Sequence, residues 1–135
     1  MPVLRHVGRC GRSATFALLA LALLVLAWGC ETAPSANPVR IAGGDAERGR
    51  TAMRVYGCQS CHTIPGVPGA NALVGPSLER IASRVYVVGS LPNTPDNLMR
   101  WIGNPRGVRP DTAMPTTGAR PDDVRDMVAY LYTLR

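Results

Sequence analysis

The residues best suited to chemistry lie in one short stretch, Cys58-Gln59-Ser60-Cys61-His62. Two thiols and an imidazole at this spacing could provide a nucleophile, a dithiol redox pair, part of a zinc site or an attachment point for haem. Each of these chemistries needs different partners elsewhere in the chain. The remaining sequence therefore decides between them.

The partners needed for two of these chemistries are missing from the sequence. A thioredoxin-like redox pair requires a βαβ context, and no segment alternates well enough to be a strand. A zinc knuckle requires two further Cys or His ligands, but the chain has neither residue after His62. In a haem site, Cys58 and Cys61 form thioethers with the vinyl groups, and His62 places a ring nitrogen on the iron. The motif thus predicts one covalently bound haem c.

The second axial position of the iron calls for a ligand or stays open. The other histidine, His6, lies in the N-terminal region, which leaves methionine as the usual choice. Met53 and Met127 fall on apolar helical stripes, where methionine usually fills the core, and Met99 follows Leu98 on another helix. Met114 lies in the proline-rich stretch "RPDTAMPTTG", which has no apolar period. We favour Met114 as the ligand and place Met99 second.

Four helices are predicted to position these residues. The first is capped by Asp45 and carries Met53, the second is capped by Ser77, the third begins at Thr94-Pro95, and the last begins at Pro121. The apolar positions of the last three are Leu78, Ile81, Ala82 and Val85; Leu98, Trp101 and Ile102; and Val124, Met127, Val128, Leu131 and Leu134.

The fold class expected from these elements is all-α, with about four short helices in a domain over residues 45–135. Such helices make a thin core, and the loops 62–76 and 103–120 are long for a compact domain. A large apolar cofactor would supply the missing core and order the loops.

The N-terminal region has the layout of an export signal. Three arginines precede the uncharged run from Ser13 to Cys30, which ends in Ala27-Trp28-Gly29-Cys30. This ending resembles a lipobox, so we expect a signal peptide over 1–29, a lipidated Cys30 and a flexible tether over 30–44. An uncleaved anchor, or a Cys30 that merely ends the apolar run, is the alternative. The expected location is the periplasm or the outer face of the bacterial cytoplasmic membrane.

The charge pattern argues against a nucleic-acid partner. The net charge of +6 falls to +3 once the three N-terminal arginines are removed, and the others are scattered singly. The sequence has no run of basic residues of the kind that binds a phosphate backbone.

Four segments in sequence order resemble those of a class I c-type cytochrome of the bacterial kind. They are "GDAERGRTAM" before the haem motif, "VGPSL" after it, "NLMRWIGNPRGVRPDTAMP" and "DDVRDMVAYLYTL". The resemblance covers residues 45–135. It implies the cytochrome c fold, with covalent haem on Cys58 and Cys61, His62 as the proximal ligand and Met114 as the distal ligand.

The same resemblance implies roles for residues around the haem. The Pro76 carbonyl should accept the ring N–H of His62, and Trp101 should pack on the methionine side. Gly49 and Tyr130 should lie where the first and last helices cross. Arg84 or Tyr86 is a candidate for a haem propionate. The resemblance also implies that the segment "TIPGVPGANALVGP" passes the haem edge. Ile64, Val67 and Ala70 either form an apolar docking rim there or belong to a plain loop.

A haem with both axial positions filled points to one-electron transfer. The expected function is an electron carrier between membrane-bound respiratory complexes, with a terminal oxidase, a dehydrogenase or a cytochrome bc-type complex as partners. A fixed subunit of an oxidase or dehydrogenase complex is the second hypothesis. A haem sensor or peroxidase with an open iron site is the third, and it requires that Met114 is not a ligand.

Overall fold

The computed structural model describes residues 39–135. This part of the chain contains four α-helices, two 3₁₀ turns and one β-hairpin, so the helical class is confirmed. The helices are α1 (Ala46–Val55), α2 (Pro95–Gly103), α3 (Pro105–Val108) and α4 (Pro121–Leu131). The 3₁₀ turns are Cys58–Ser60 and Ile81–Ser83, and the strands are β1 (Tyr86–Val87) and β2 (Leu91–Pro92). The predictions for the signal peptide, Cys30 and most of the tether lie outside the described residues.

Three of the predicted helix starts are confirmed. The Asp45 carboxylate accepts the N–H of Arg48 at 2.9 Å and caps α1. The Thr94 hydroxyl accepts the N–H of Asn97 at 3.3 Å, ahead of Pro95 at the first position of α2. Pro121 opens α4 in the same way, with two aspartates in its first turn. These starts follow from local chemistry, because a cap and a proline satisfy or remove N–H groups that a helix leaves unpaired.

The core centres on the crossing of α1 and α4. A Cβ atom on Gly49 would lie 1.9 Å from the backbone oxygen of Asp126, so only glycine permits this approach. Met53 and Met127 are both buried here, as expected for methionines that fill a core. The apolar faces of α1 and α4 therefore pack directly against each other, and Gly49 lies where the resemblance implied.

A buried carboxylate joins the two helices at this crossing. Asp126 has a side chain that is 6% exposed. Its Oδ1 accepts the N–H of Asp45 at 2.7 Å, and its Oδ2 accepts from Nε of Arg48 at 2.7 Å. The Arg48 hydrogen bond holds the pKa of Asp126 below its ordinary value, with the Asp45 N–H adding to the effect. The positive charge of Arg48 offsets the free-energy cost of burying the Asp126 carboxylate.

The second predicted helix is wrong. The chain from Ser77 to Val85 forms only the 3₁₀ turn Ile81–Ser83, preceded by Arg80 at φ 52°. Its backbone groups bond to distant partners instead: the N–H of Leu78 donates to the Thr63 carbonyl at 2.8 Å, and that of Ala82 to the Leu134 carbonyl at 3.0 Å. These long-range hydrogen bonds replace the i to i−4 bonds of a helix. The helical spacing of apolar residues in the sequence does not reveal them.

The expectation of no strand is also wrong. β1 and β2 pair antiparallel in the register Tyr86↔Pro92 and Val87↔Leu91. The hairpin turn places Val88 and Gly89 at positive φ, 53° and 86°. Strands of two residues are too short to show alternation. The fourth helix is α3, which begins where Asn104-Pro105 ends α2 and is capped by the Asn104 side chain.

None of the helices within residues 39–135 is both long and apolar enough to cross a bilayer.

Candidate haem-attachment site

The haem motif begins after a two-residue turn, Tyr56-Gly57, that follows the end of α1. Tyr56 caps the end of α1, and Gly57 adopts a left-handed conformation at φ 77°. The chain then enters the 3₁₀ turn Cys58–Ser60, and the N–H groups of Cys61 and His62 both donate to the Cys58 carbonyl, at 3.2 Å and 3.0 Å. The turn thus places two thiols and the imidazole within one compact unit at the end of a helix.

Both cysteines of the motif are available for chemistry. Cys58 and Cys61 are unbonded thiols, each half-buried, and they do not form a disulfide. Burial raises the pKa of the Cys58 thiol above its ordinary value of 9.0. The thiol form therefore dominates at neutral pH.

The His62 ring is held by a backbone carbonyl. Its Nδ1 lies 2.7 Å from the Pro76 oxygen, so with the proton on Nδ1 the ring donates to that carbonyl. The implied hydrogen bond is thus present in the structure. With the proton on Nδ1, Nε2 is unprotonated and carries a lone pair. A histidine that binds a metal through Nε2 needs this tautomer.

A glycine next to this proline makes room for the ring. A Cβ atom on Gly75 would lie 2.5 Å from Cε1 and 2.7 Å from Nδ1 of His62. The Gly75 N–H also donates to the Cys61 carbonyl at 2.7 Å. The pair Gly75-Pro76 therefore holds the ring in two ways, by packing and by the carbonyl. The sequence segment "VGPSL" carried this signal, although Gly75 was not singled out.

These features form a donor set that fits a c-type haem. Cys58 and Cys61 would hold the group through thioether bonds, and His62 would give Nε2 to the iron. The cradle that Gly75 leaves for the imidazole, together with the Pro76 hydrogen bond, fixes the orientation of the ring. Among residues 39–135, no group of three or more His, Cys, Asp or Glu side chains is placed to bind a metal ion directly.

The predicted docking rim is corrected by the structure. Ile64, Val67 and Ala70 are 2%, 5% and 7% exposed and belong to the core. Their loop folds inward because the N–H of Ile64 donates to the Ala70 carbonyl at 3.0 Å. The exposed apolar residues of this segment are instead Leu73 and Val74, at 88% and 81%.

The expected distal residues lie on other elements. Met114 is half-buried in the loop between α3 and α4, and its N–H donates to the Thr112 hydroxyl at 3.1 Å. Met99 and Trp101 lie on α2, are half-buried and pack against the core. A role for either Met114 or Trp101 toward haem stays a prediction.

The two candidates for a propionate differ in their surroundings. One Nη of Arg84 donates to the carbonyls of Ser77 and Glu79, at 2.5 Å and 3.1 Å. Its guanidinium thus stabilises the irregular segment that replaces the second predicted helix. Tyr86 is 57% exposed on β1.

Tyr130 was expected where the first and last helices cross. It lies on α4 and donates its hydroxyl to the Pro65 carbonyl. This hydrogen bond links α4 to the loop after the haem motif.

The chain is similar to a known protein family over most of the described residues. Residues 46–135 match the sequence profile of the cytochrome c family, described as "Cytochrome c". The chain belongs to the cytochrome c family. Together with the motif and the helical fold, this match supports a class I c-type cytochrome. Membership implies covalently bound haem c and haem-based electron transfer.

One curated protein with a similar segment is a cytochrome c oxidase subunit 2 from Alkalihalophilus pseudofirmus. The two sequences are 31% identical over 94 residues, which is 67% of this chain. The match covers 26% of the relative's length, so this cytochrome corresponds to about a quarter of that protein.

Proposed function

We propose that this cytochrome c carries single electrons between membrane-bound respiratory complexes through one haem c. The observation that carries the proposal is the His62 ring, fixed by the Pro76 oxygen at 2.7 Å and placed beside two unbonded thiols. When bound, the haem supplies an iron that cycles between two oxidation states. The protein's part is to hold the iron ligands, to exclude water and to present a surface to partners.

The proposed axial ligands are His62 and Met114. Methionine opposite histidine raises the reduction potential and leaves no coordination position for a substrate. Met114 is supported by its half-buried position in a proline-rich loop. Met53 and Met127 are 2% and 0% exposed in the α1–α4 core, which supports their exclusion.

Purified haem-loaded protein gives the direct test of electron transfer. We expect a redox titration with one one-electron step, and oxidation of the reduced protein by solubilised membranes that contain a terminal oxidase. A protein that readily binds cyanide when oxidised, or carbon monoxide when reduced, would instead have an open iron site. That result would favour the sensor or peroxidase hypothesis.

A second candidate function is a fixed electron-entry subunit of an oxidase complex. The similarity to part of a cytochrome c oxidase subunit 2 favours it. Size fractionation of gently solubilised membranes separates the two functions. A carrier elutes as a small protein, whereas a fixed subunit elutes with a large complex and stays there at high salt.

We also propose that the chain is exported and anchored outside the cytoplasm through a lipid on Cys30, with residues 31–44 as a tether. The support is the uncharged run from Ser13 and the ending Ala27-Trp28-Gly29-Cys30. A tether of this kind raises the effective concentration at membrane-bound partners.

Mass spectrometry of the intact mature protein tests the anchor. We expect a chain that begins at Cys30 and carries one haem and a diacylglyceryl group. In the variant Cys30→Ser the lipid mass should be absent, while the haem mass is unchanged. A mature chain that retains residues 1–29 would refute the cleavage site and favour an uncleaved anchor.

A further inference from the structure

The hydroxyl of Tyr56 joins the end of α1 to the start of α4. It donates to Oδ2 of Asp123 at 2.7 Å, and it accepts the N–H of Arg120 in a longer contact of 3.5 Å. Tyr56 is half-buried and packs against the core. A hydrogen bond from a hydroxyl to a carboxylate is stronger than one between neutral groups. This contact is therefore a specific link between two distant parts of the chain.

Both ends of the link adjoin segments that matter for the haem. Tyr56 ends α1 two residues before Cys58, the first cysteine of the motif. Arg120 is the residue that precedes α4, and it ends the loop 109–120, which carries Met114. One hydroxyl thus connects the segment with the proximal histidine to the loop with the proposed distal ligand.

This link is one of two polar contacts that hold α4 on α1. The other is the Asp126 carboxylate, which accepts from Arg48 and from the Asp45 N–H at the start of α1. Arg48 and Tyr56 are eight residues apart, which is about 12 Å along a helix. Two separated contacts fix the direction of α4, whereas a single one does not. The Tyr56 contact fixes the end of α4 at which the 109–120 loop arrives.

The loop between Met114 and Arg120 is short. It contains Pro115, and its N–H at Ala119 donates locally to the Thr117 hydroxyl at 3.3 Å. A segment of six residues transmits a displacement of its end to its other residues. The position of Met114 therefore depends on where Arg120 is held.

We propose that Tyr56 is a positioning residue for Met114, and that its hydroxyl holds the end of the 109–120 loop beside the haem motif so that the methionine stays on the iron. The inference rests on the proposed function, since it requires Met114 as the distal ligand. Without the hydroxyl, the conformation in which the loop has left the iron becomes more populated. An added ligand that needs this conformation then binds more tightly.

The test measures imidazole binding to the oxidised, haem-loaded full-length protein, because imidazole must displace the methionine. Tyr56→Phe removes the hydroxyl and keeps the ring. Asp123→Ala removes the acceptor, and the double variant shows whether the two side chains act together. The matched control is Tyr132→Phe, which loses a hydroxyl bonded to the Asn93 carbonyl at 3.1 Å in another part of the fold.

We expect Tyr56→Phe to bind imidazole about tenfold more tightly than the wild type, because a hydrogen bond to a charged group no longer holds the loop. Asp123→Ala should show a similar increase. The double variant should bind no more than about twofold more tightly than either single variant. Tyr132→Phe should keep the wild-type affinity for imidazole, although urea denaturation should show a lower stability.

Three results would overturn the inference. Tyr56→Phe could keep the wild-type affinity, which would mean that the hydroxyl does not restrain the loop. Tyr56→Phe and Tyr132→Phe could show equal increases, which would mean a general loosening of the fold. The double variant could show the product of the two single increases, which would mean that the two side chains act independently. If Met114→Leu has the wild-type spectrum, the proposed ligand itself is wrong and the inference falls with it.

Discussion

At the scale of single residues, the site depends on how His62 is held. The Pro76 carbonyl fixes the tautomer, and Gly75 leaves the space that the ring occupies. The motif was recognisable from its short fixed spacing, and the carbonyl partner was implied by the resemblance to class I c-type cytochromes. The sequence did not single out Gly75, because the need for a missing Cβ is visible only once the ring is in place.

Gly75→Ala tests this cradle. The added Cβ would lie 2.5 Å from the imidazole, so the ring must move from the Pro76 oxygen. Changes to such supporting contacts weaken metal binding by about 10- to 100-fold. We expect a lower yield of haem-loaded protein and a shifted reduction potential, measured by spectroscopy and redox titration.

Gly103→Ala is the matched control for this change. A Cβ on Gly103, at the exposed end of α2, meets nothing within 4 Å. This variant should keep the wild-type yield and potential. Equal behaviour of the two variants would show that the close approach of Gly75 does not position the histidine.

At the scale of elements, the crossing of α1 and α4 carries the fold. The sequence predicted both helices from their caps and apolar stripes. It missed the role of Asp126, because its buried position depends on Arg48, which lies 78 residues earlier in the chain. The prediction of a helix from Ser77 was wrong for a similar reason. The backbone of this segment forms hydrogen bonds with Thr63 and Leu134, which are remote in sequence.

Gly49→Ala should destabilise this crossing. Alanine favours a helix over glycine by about 1 kcal/mol. Overpacking against backbone, here 1.9 Å from the Asp126 oxygen, costs about 3 kcal/mol and outweighs that gain. Urea denaturation should show a free energy of unfolding lower by about 2 kcal/mol. An unchanged or higher midpoint would contradict this packing.

The Asp126 carboxylate makes stability depend on pH. Its folded-state pKa is lowered by the Arg48 hydrogen bond, so its contribution is complete above the ordinary value of 3.8 and is lost as the pH falls through the folded-state value. Asp126→Asn should unfold about 2 kcal/mol more easily at neutral pH, since hydrogen bonds to a charged group are lost. Its stability should also fall less steeply in acid, as measured by urea denaturation at several pH values.

An exposed aspartate on the same helix provides the control. The Asp122 side chain is 69% exposed and pairs with Arg125 at 2.7 Å. Exposed pairs contribute less than about 1 kcal/mol. Asp122→Asn should therefore keep the acid dependence of the wild type. If Asp126→Asn kept it as well, the buried carboxylate would not be the source of the acid sensitivity.

At the scale of the whole molecule, the chain belongs to the cytochrome c family over residues 46–135. The all-α class and the order of its main segments were predictable, because the haem motif and the capped helices are local features. The hairpin at β1–β2 and the exposed pair Leu73–Val74 were not, since they depend on how loops fold around the motif. Whether the molecule moves freely or belongs to a complex depends on its partners.

We propose that His62 and Met114 hold the iron of a protein that transfers electrons. The most direct measurement compares the absorption spectrum and reduction potential of Met114→Leu with those of the wild type and of Met99→Leu. We predict that Met114→Leu loses the features of methionine ligation and has a lower potential, while Met99→Leu matches the wild type. A Met114→Leu protein with an unchanged spectrum and potential would contradict the ligand assignment and favour an open iron site.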